Sequence, residues 1–150
     1  MKKLNIYVIV LSLIWAGMLL GISFLEAPVK FTAPSLTLQV GLDVGRHVFQ
    51  AFNKVEIVFG TLSLILLFKT DLSFLNKFIF SSILFLLLLQ CFWLLPALDV
   101  RALIIIGGGT PEGESSLHNW YILFDALKVI GLISLGVRSI SELAKSNVKI

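Results

Sequence analysis

The sequence predicts an all-α integral membrane four-helix bundle, threaded up-down-up-down with both termini in the cytoplasm. Three observations predict it. Hydrophobic residues make up 57% of the 150-residue chain and charged residues only 14%, whereas a soluble domain keeps roughly a quarter of its residues charged. The apolar residues gather into four runs, each long enough to cross about 30 Å of hydrocarbon, which takes about 20 helical residues. Lys and Arg collect at the ends of those runs, where they anchor and orient spans. The net charge of +3 is thus accounted for by anchoring, and no nucleic-acid partner is expected. The whole chain, 1–150, reads as one four-span domain.

Span one covers about residues 5–25. Lys2 and Lys3 give it the basic start of a secretion signal, but the apolar stretch from Ile6 to Leu25 exceeds the usual signal core of roughly 7–15 residues. Ala27 is followed by Pro28, a poor cleavage context, so an uncleaved span is expected. Gly17 and Gly21 form a G-x-x-x-G pair that permits close helix approach. The connection "EAPVKFTAPSLTLQVGLDVG" is half apolar. Pro34-Ser35 is expected to open a helix that lies along the membrane surface or runs into span two, bent at Gly41 and Gly45.

Span two, about 47–68, is "HVFQAFNKVEIVFGTLSLILLF", and its first half carries His47, Gln50, Asn53, Lys54 and Glu56. "KTDLSFLNK" is a short polar connection. Span three, about 77–98, is almost wholly apolar, with Gln90 inside it and Pro96 expected to kink its end. Its Cys91 stands alone, so neither a disulfide framework nor a CxxC metal motif exists. "GGGTPEGESS" reads as a linker, because it lacks the GK[ST] ending of a phosphate-binding loop. Span four, about 119–137, begins with Trp120 and Tyr121 at the outer interface.

Orientation follows from the flanking bases. Lys2, Lys3, Lys69, Lys77, Arg138, Lys145 and Lys149 share one side with both termini. The other side has Lys30, Arg46, Lys54 and Arg101, accompanied by Glu26, Asp43, Asp99, Glu112 and Glu114. The first side is the cytoplasm by the positive-inside rule, and a bacterial inner (plasma) membrane is the expected location.

Depth then decides what the polar residues must do. Glu56 lies about 18 Å from the cytoplasmic boundary, and Asp125 and Lys128 lie about 9 and 13 Å below the outer one. An ionised group there costs at least about 2.5–3.5 kcal/mol unless it meets a partner or water. Matching depths pair Glu56 with Lys128 and Lys54 with Asp125. Phe49, Asn53, Glu56 and Gly60 share one helical stripe, and His47, Gln50 and Lys54 an adjacent one. The cytoplasmic half reads as almost purely apolar. The expectation is a polar, ion-paired pocket open to the extracytoplasmic side and plugged below, lined by Glu26, Arg46, Asn53, Lys54, Glu56, Gln90, Asp99, Arg101, Tyr121, Asp125 and Lys128.

Such a pocket would take a small molecule, an ion or a lipid headgroup, without catalysis. No catalytic constellation stands out. The alternative is a membrane redox protein, because two imidazoles on separate helices of a bundle can ligate haem b or a metal ion, or flank a quinone. His47 and His118 are the only histidines and would be the ligands; the simpler reading gives each a headgroup or a neighbouring carboxylate. The expected partners are the lipid bilayer and a small-molecule or lipid ligand, with a homo-oligomer left open.

"WAGMLLGISFLEAPVKFTAPS", then Gly45, Phe49, Asn53, Glu56 and Gly60, then "SSLHNWYILFDALKVIGLISLG" resemble the small four-span membrane proteins of unknown function related to the human protein associated with cisplatin resistance. The resemblance rests on Phe24, Pro28 and Phe31 after the first span, and on His118, Tyr121, Asp125 and Lys128 in the last, and covers about residues 10–137. It implies a four-helix membrane protein and supplies no reaction.

Overall fold

The computed structural model describes residues 2–113 and 115–148, with the side chains of 5–113 and 115–145. Glu114 and Lys149, both used in the orientation argument, lie outside the described residues, as do the side chains of Lys2 and Lys3. All regular structure among the described residues is helical. Four continuous helices result, each long and apolar enough to cross a membrane.

Helix α1 runs as α-helix over Lys2–Leu19, widens to a π-helix over Leu20–Glu26 and closes with Ala27–Lys30. Helix α2 is Leu38–Lys69. Helix α3 comprises Phe74–Leu89, a π-helical Gln90–Leu94, and Leu95–Ile106. Helix α4 is Leu117–Val148. All four extend beyond the expected spans, because the amphipathic flanking residues continue the helical register past the apolar runs.

The two π-helical segments share a cause. Each ends two residues before a proline, with Ala27 donating to the Ile22 carbonyl before Pro28 and Leu95 donating to the Gln90 carbonyl before Pro96. A proline ring inside a helix collides with the carbonyl four residues back. Widening the preceding turn moves that carbonyl aside and lets the helix continue. The expected break at Pro96 is therefore a change of winding, repeated at Pro28.

Helix α2 starts at Leu38, not at Pro34, because Thr37 caps it by accepting from the Val40 amide at 3.3 Å. It runs uninterrupted into the span, and Gly41 and Gly45 serve close approach to the end of α1. A Cβ at Gly41 would stand 2.5 Å from Phe31 Cε1.

Helix α1 packs along α4 and α2, and α3 packs along α2 and α4, so the four helices close a ring with α2 and α4 on a diagonal. Three apolar layers fill it. Val8, Leu72, Phe80 and Leu135 form one end; Trp15, Leu19, Phe52, Ile83, Leu87 and Leu132 form the middle; Leu94, Tyr121 and Phe124 form the other end. The outside is apolar as well, with Phe68, Phe74 and Phe92 presenting at least 80% of their area. An apolar surface this extensive is foreign to soluble monomers.

The end that reads as almost purely apolar holds a buried polar network. Asn76 is buried there, donating to Glu142 Oε2 at 3.2 Å and accepting from Arg138 Nε at 2.9 Å. A single amide with both functions satisfied in this way binds the start of α3 to the end of α4.

Candidate functional site

The centre of the bundle holds a charged cluster. Lys128 Nζ of α4 donates to Glu56 Oε1 of α2 at 2.5 Å, across the diagonal, and lies 3.1 Å from Asp125 Oδ1 on its own helix. All three side chains are at most 1% exposed. Trp15 Nε1 of α1 donates to the same Glu56 oxygen at 3.0 Å, and Gln90 Nε2 of α3 donates to Asp125 Oδ1 at 2.8 Å. Each helix thus contributes at least one group.

Helical spacing explains the convergence. Asp125 and Lys128 are three residues apart and so share a face of α4. Gln90 opens the π-helical segment of α3, whose altered winding sets the direction in which the amide points.

Polar capacity is left over. Glu56 Oε2, Asp125 Oδ2, Gln90 Oε1 and the Tyr121 hydroxyl are buried and lack hydrogen-bond partners among the described residues. The charges are also unequal, since two carboxylates share one ammonium.

Beside this cluster lies a pocket of about 410 Å3 between the ends of all four helices. Phe24, Pro28 and Phe31 from α1 and its following turn, Phe49 from α2, Leu95 and Leu98 from α3 and Ile122 from α4 make its walls apolar. Lys30, Arg46, Asp99, His118, Tyr121 and Asp125 supply its polar groups. Asp125 belongs to both pocket and cluster, and sits two helical turns further along α4 than His118. Arg46 Nε donates to Asp99 Oδ1 at 2.6 Å, and Gln50 donates to the same oxygen at 2.7 Å. Lys30 Nζ stands 3.3 Å from Glu26 and 5.6 Å from the centroids of the Phe31 and Phe49 rings.

The expected site residues therefore separate into groups. Glu56, Gln90, Asp125 and Lys128 come together in the core, with the anticipated Glu56–Lys128 pair present. Arg46, Asp99, Tyr121 and Asp125 line the pocket. Asn53 lies apart, with its amide 3.1 Å from Cys91 Sγ, tying α2 to α3. Glu26 serves as the partner of Lys30.

Three expectations are corrected. Lys54 does not pair with Asp125; it is exposed, and Asp125 is held by Lys128 and Gln90. The matching of depths overlooked that Lys54 and Glu56, two residues apart, must point to different sides of a helix. Arg101 is half-buried outside the pocket lining and donates to the Glu112 and Gly113 carbonyls at 3.1 and 2.9 Å, closing the loop after α3. His47 is 65% exposed and bonds to the Asp43 carbonyl of its own helix at 2.8 Å, whereas His118 faces the pocket. No group of three or more His, Cys, Asp or Glu able to hold a metal occurs among the described residues. The haem or metal reading gains no support.

Trp15 was not anticipated. Its signal was position, because a tryptophan far from either end of a span has left the interface that its ring prefers and needs a buried acceptor for its N–H. Comparison of the chain with protein-family models, with curated proteins and with solved structures finds no match.

Proposed function

We propose that this is an integral membrane binding protein of a bacterial inner membrane, threaded up-down-up-down with both termini in the cytoplasm. Its pocket takes a small apolar or amphiphilic molecule from the extracytoplasmic side, without catalysis. The observation that carries the reading is the convergence of Lys30, Arg46, Asp99, His118, Tyr121 and Asp125 on a largely apolar cavity of about 410 Å3. Volume, apolar walls and few convergent polar groups are the attributes of small-molecule sites. The sidedness is supported by Lys69, Lys77, Arg138 and Lys145 near the end that holds Asn76, against acid-accompanied bases near the pocket. The resemblance to four-span proteins related to the human cisplatin-resistance-associated protein is proposed together with this reading, which agrees with it in span number.

The test is to purify the full chain in lipid nanodiscs, extract the small molecules held by it and identify them by mass spectrometry. Ala102 lines the cavity, and Ala102→Phe is expected to fill it and to lose the extracted species while keeping its helical circular dichroism. Identical extracts from wild type and variant would overturn the proposal.

A further inference from the structure

The pocket meets the charged cluster at a single carboxylate, and that carboxylate is the surplus one. Lys128 is opposed by Glu56 and Asp125 together. The two cations that line the pocket are already matched, Lys30 by Glu26 at 3.3 Å and Arg46 by Asp99 at 2.6 Å. Counting Glu26, which pairs with Lys30 from outside the lining, four carboxylates (Glu26, Glu56, Asp99 and Asp125) stand against three cations (Lys30, Arg46 and Lys128). Asp125 spends its Oδ1 on Lys128 and Gln90, while its Oδ2 is buried, lacks a partner among the described residues, and belongs to a residue of the cavity lining. The buried Tyr121 hydroxyl, likewise unpartnered, belongs to the same lining. A buried charge without compensation is expensive, and the expense falls when a bound cation supplies the missing charge.

We infer that the pocket selects a cationic ligand, a primary or secondary organic ammonium on an apolar frame, with its N–H groups on Asp125 Oδ2 and its frame along the apolar walls. The inference rests on the cavity being a ligand site. The walls favour an organic ammonium over a bare metal ion, which needs a shell of about six oxygens. Phe49 and Tyr121, in edge-to-face contact at 5.4 Å between ring centroids, are both part of the lining, and aromatic faces attract organic cations. An anionic ligand is disfavoured because it would bring a second uncompensated charge to Asp125.

Binding of 4-phenylbutylamine, 4-phenylbutanol and 4-phenylbutanoate to the full chain in nanodiscs tests this, because the three probes share a carbon frame and differ in charge. Isothermal titration is expected to rank the amine about tenfold or more above the alcohol, with the carboxylate weakest. Asp125→Asn leaves Lys128 and Glu56 matched one to one and is expected to bring amine and alcohol to equal affinity. Equal affinities in the wild type, with both abolished by Ala102→Phe, overturn the cationic preference and leave the cavity reading standing. An amine preference that survives Asp125→Asn overturns the role of Asp125. Absence of binding by all three probes, or binding untouched by Ala102→Phe, overturns the cavity reading itself. The wild-type ranking decides the preference without any variant.

Discussion

Glu56 and Lys128 are separated by 72 residues and stand on diagonally opposed helices, yet their charged atoms meet at 2.5 Å with both side chains wholly buried. A diagonal bond of this kind closes the bundle across its axis, where neighbouring helices cannot reach. Asp125 joins from the side and makes the cluster a triad with one charge too many.

That excess sets an order among variants. Lys128→Met leaves two buried carboxylates uncompensated and is expected to lower unfolding stability by about 3–5 kcal/mol or more. Glu56→Gln with Lys128→Met still strands Asp125 and should recover only part of the loss. Adding Asp125→Asn to that pair should recover most of it, while Asp125→Asn alone is expected to be neutral or stabilising. Thermal unfolding in one detergent gives the ranking; full recovery by the double variant would reduce the triad to a simple pair.

Trp15 is the second partner of the Glu56 carboxylate, sharing Oε1 with Lys128. Trp15→Phe removes the indole donor and some packing, with an expected loss of about 2 kcal/mol or more. If the bond matters, the same change should cost less in a Glu56→Gln background, by about 1 kcal/mol in a double-mutant cycle. Equal costs in the two backgrounds would mean that only the ring's packing counts.

How much of this was legible in the sequence follows from what each signal reports. Hydropathy measures transfer into lipid, so it located four spans but not their true ends, where Thr37 and Ser73 cap α2 and α3 with side-chain hydrogen bonds. Depth along a helix foretold that Glu56 and Lys128 could meet. It said nothing of azimuth, and so it wrongly recruited Lys54, which shares Asp125's expected depth but, two residues from Glu56, points to another side of α2. The Asn76–Arg138–Glu142 network escaped notice because those residues flank the apolar runs, where polar groups look merely solvated. The π-helical widenings were hidden for another reason: Pro28 and Pro96 were visible, but a proline can kink, end or rewind a helix, and packing selects among these.

Asn76 offers a control remote from the pocket. Asn76→Leu strips Arg138 and Glu142 of a shared partner and is expected to lower stability by about 1–3 kcal/mol. Affinity for a pocket probe should be unchanged, since Asn76 packs among the end of the bundle that carries Leu72 and Phe80. A change in affinity larger than the change in stability would show the two ends to be coupled.

Sidedness can be read by chemical labelling. With Cys91→Ser as background, a cysteine at Ser115 is expected to react with a membrane-impermeant maleimide in intact cells. A cysteine at Asp71, between α2 and α3, is expected to react only after lysis. The opposite pattern would place the pocket on the cytoplasmic side and reverse the assignment made from the flanking bases.

The glycines facing α1 and its following turn distinguish rigid from yielding contacts. A Cβ at Gly41 would lie 2.5 Å from Phe31 Cε1, on a ring that also lines the pocket, whereas a Cβ at Gly45 would lie 2.9 Å from Lys30 Nζ, the far end of a long side chain. A ring, even one 47% exposed, has to move as a rigid plane, whereas an ammonium at the end of a four-carbon stem can shift by small changes in several torsions. Gly41→Ala is therefore expected to cost about 1–3 kcal/mol by overpacking and to alter probe affinity through displacement of Phe31. Gly45→Ala should stay within about 0.5 kcal/mol of wild type. Parallel thermal unfolding and probe titration check both halves, and a Gly45→Ala variant as damaging as Gly41→Ala would mean that Lys30, whose side chain is 12% exposed, is clamped in place by its ion pair with Glu26.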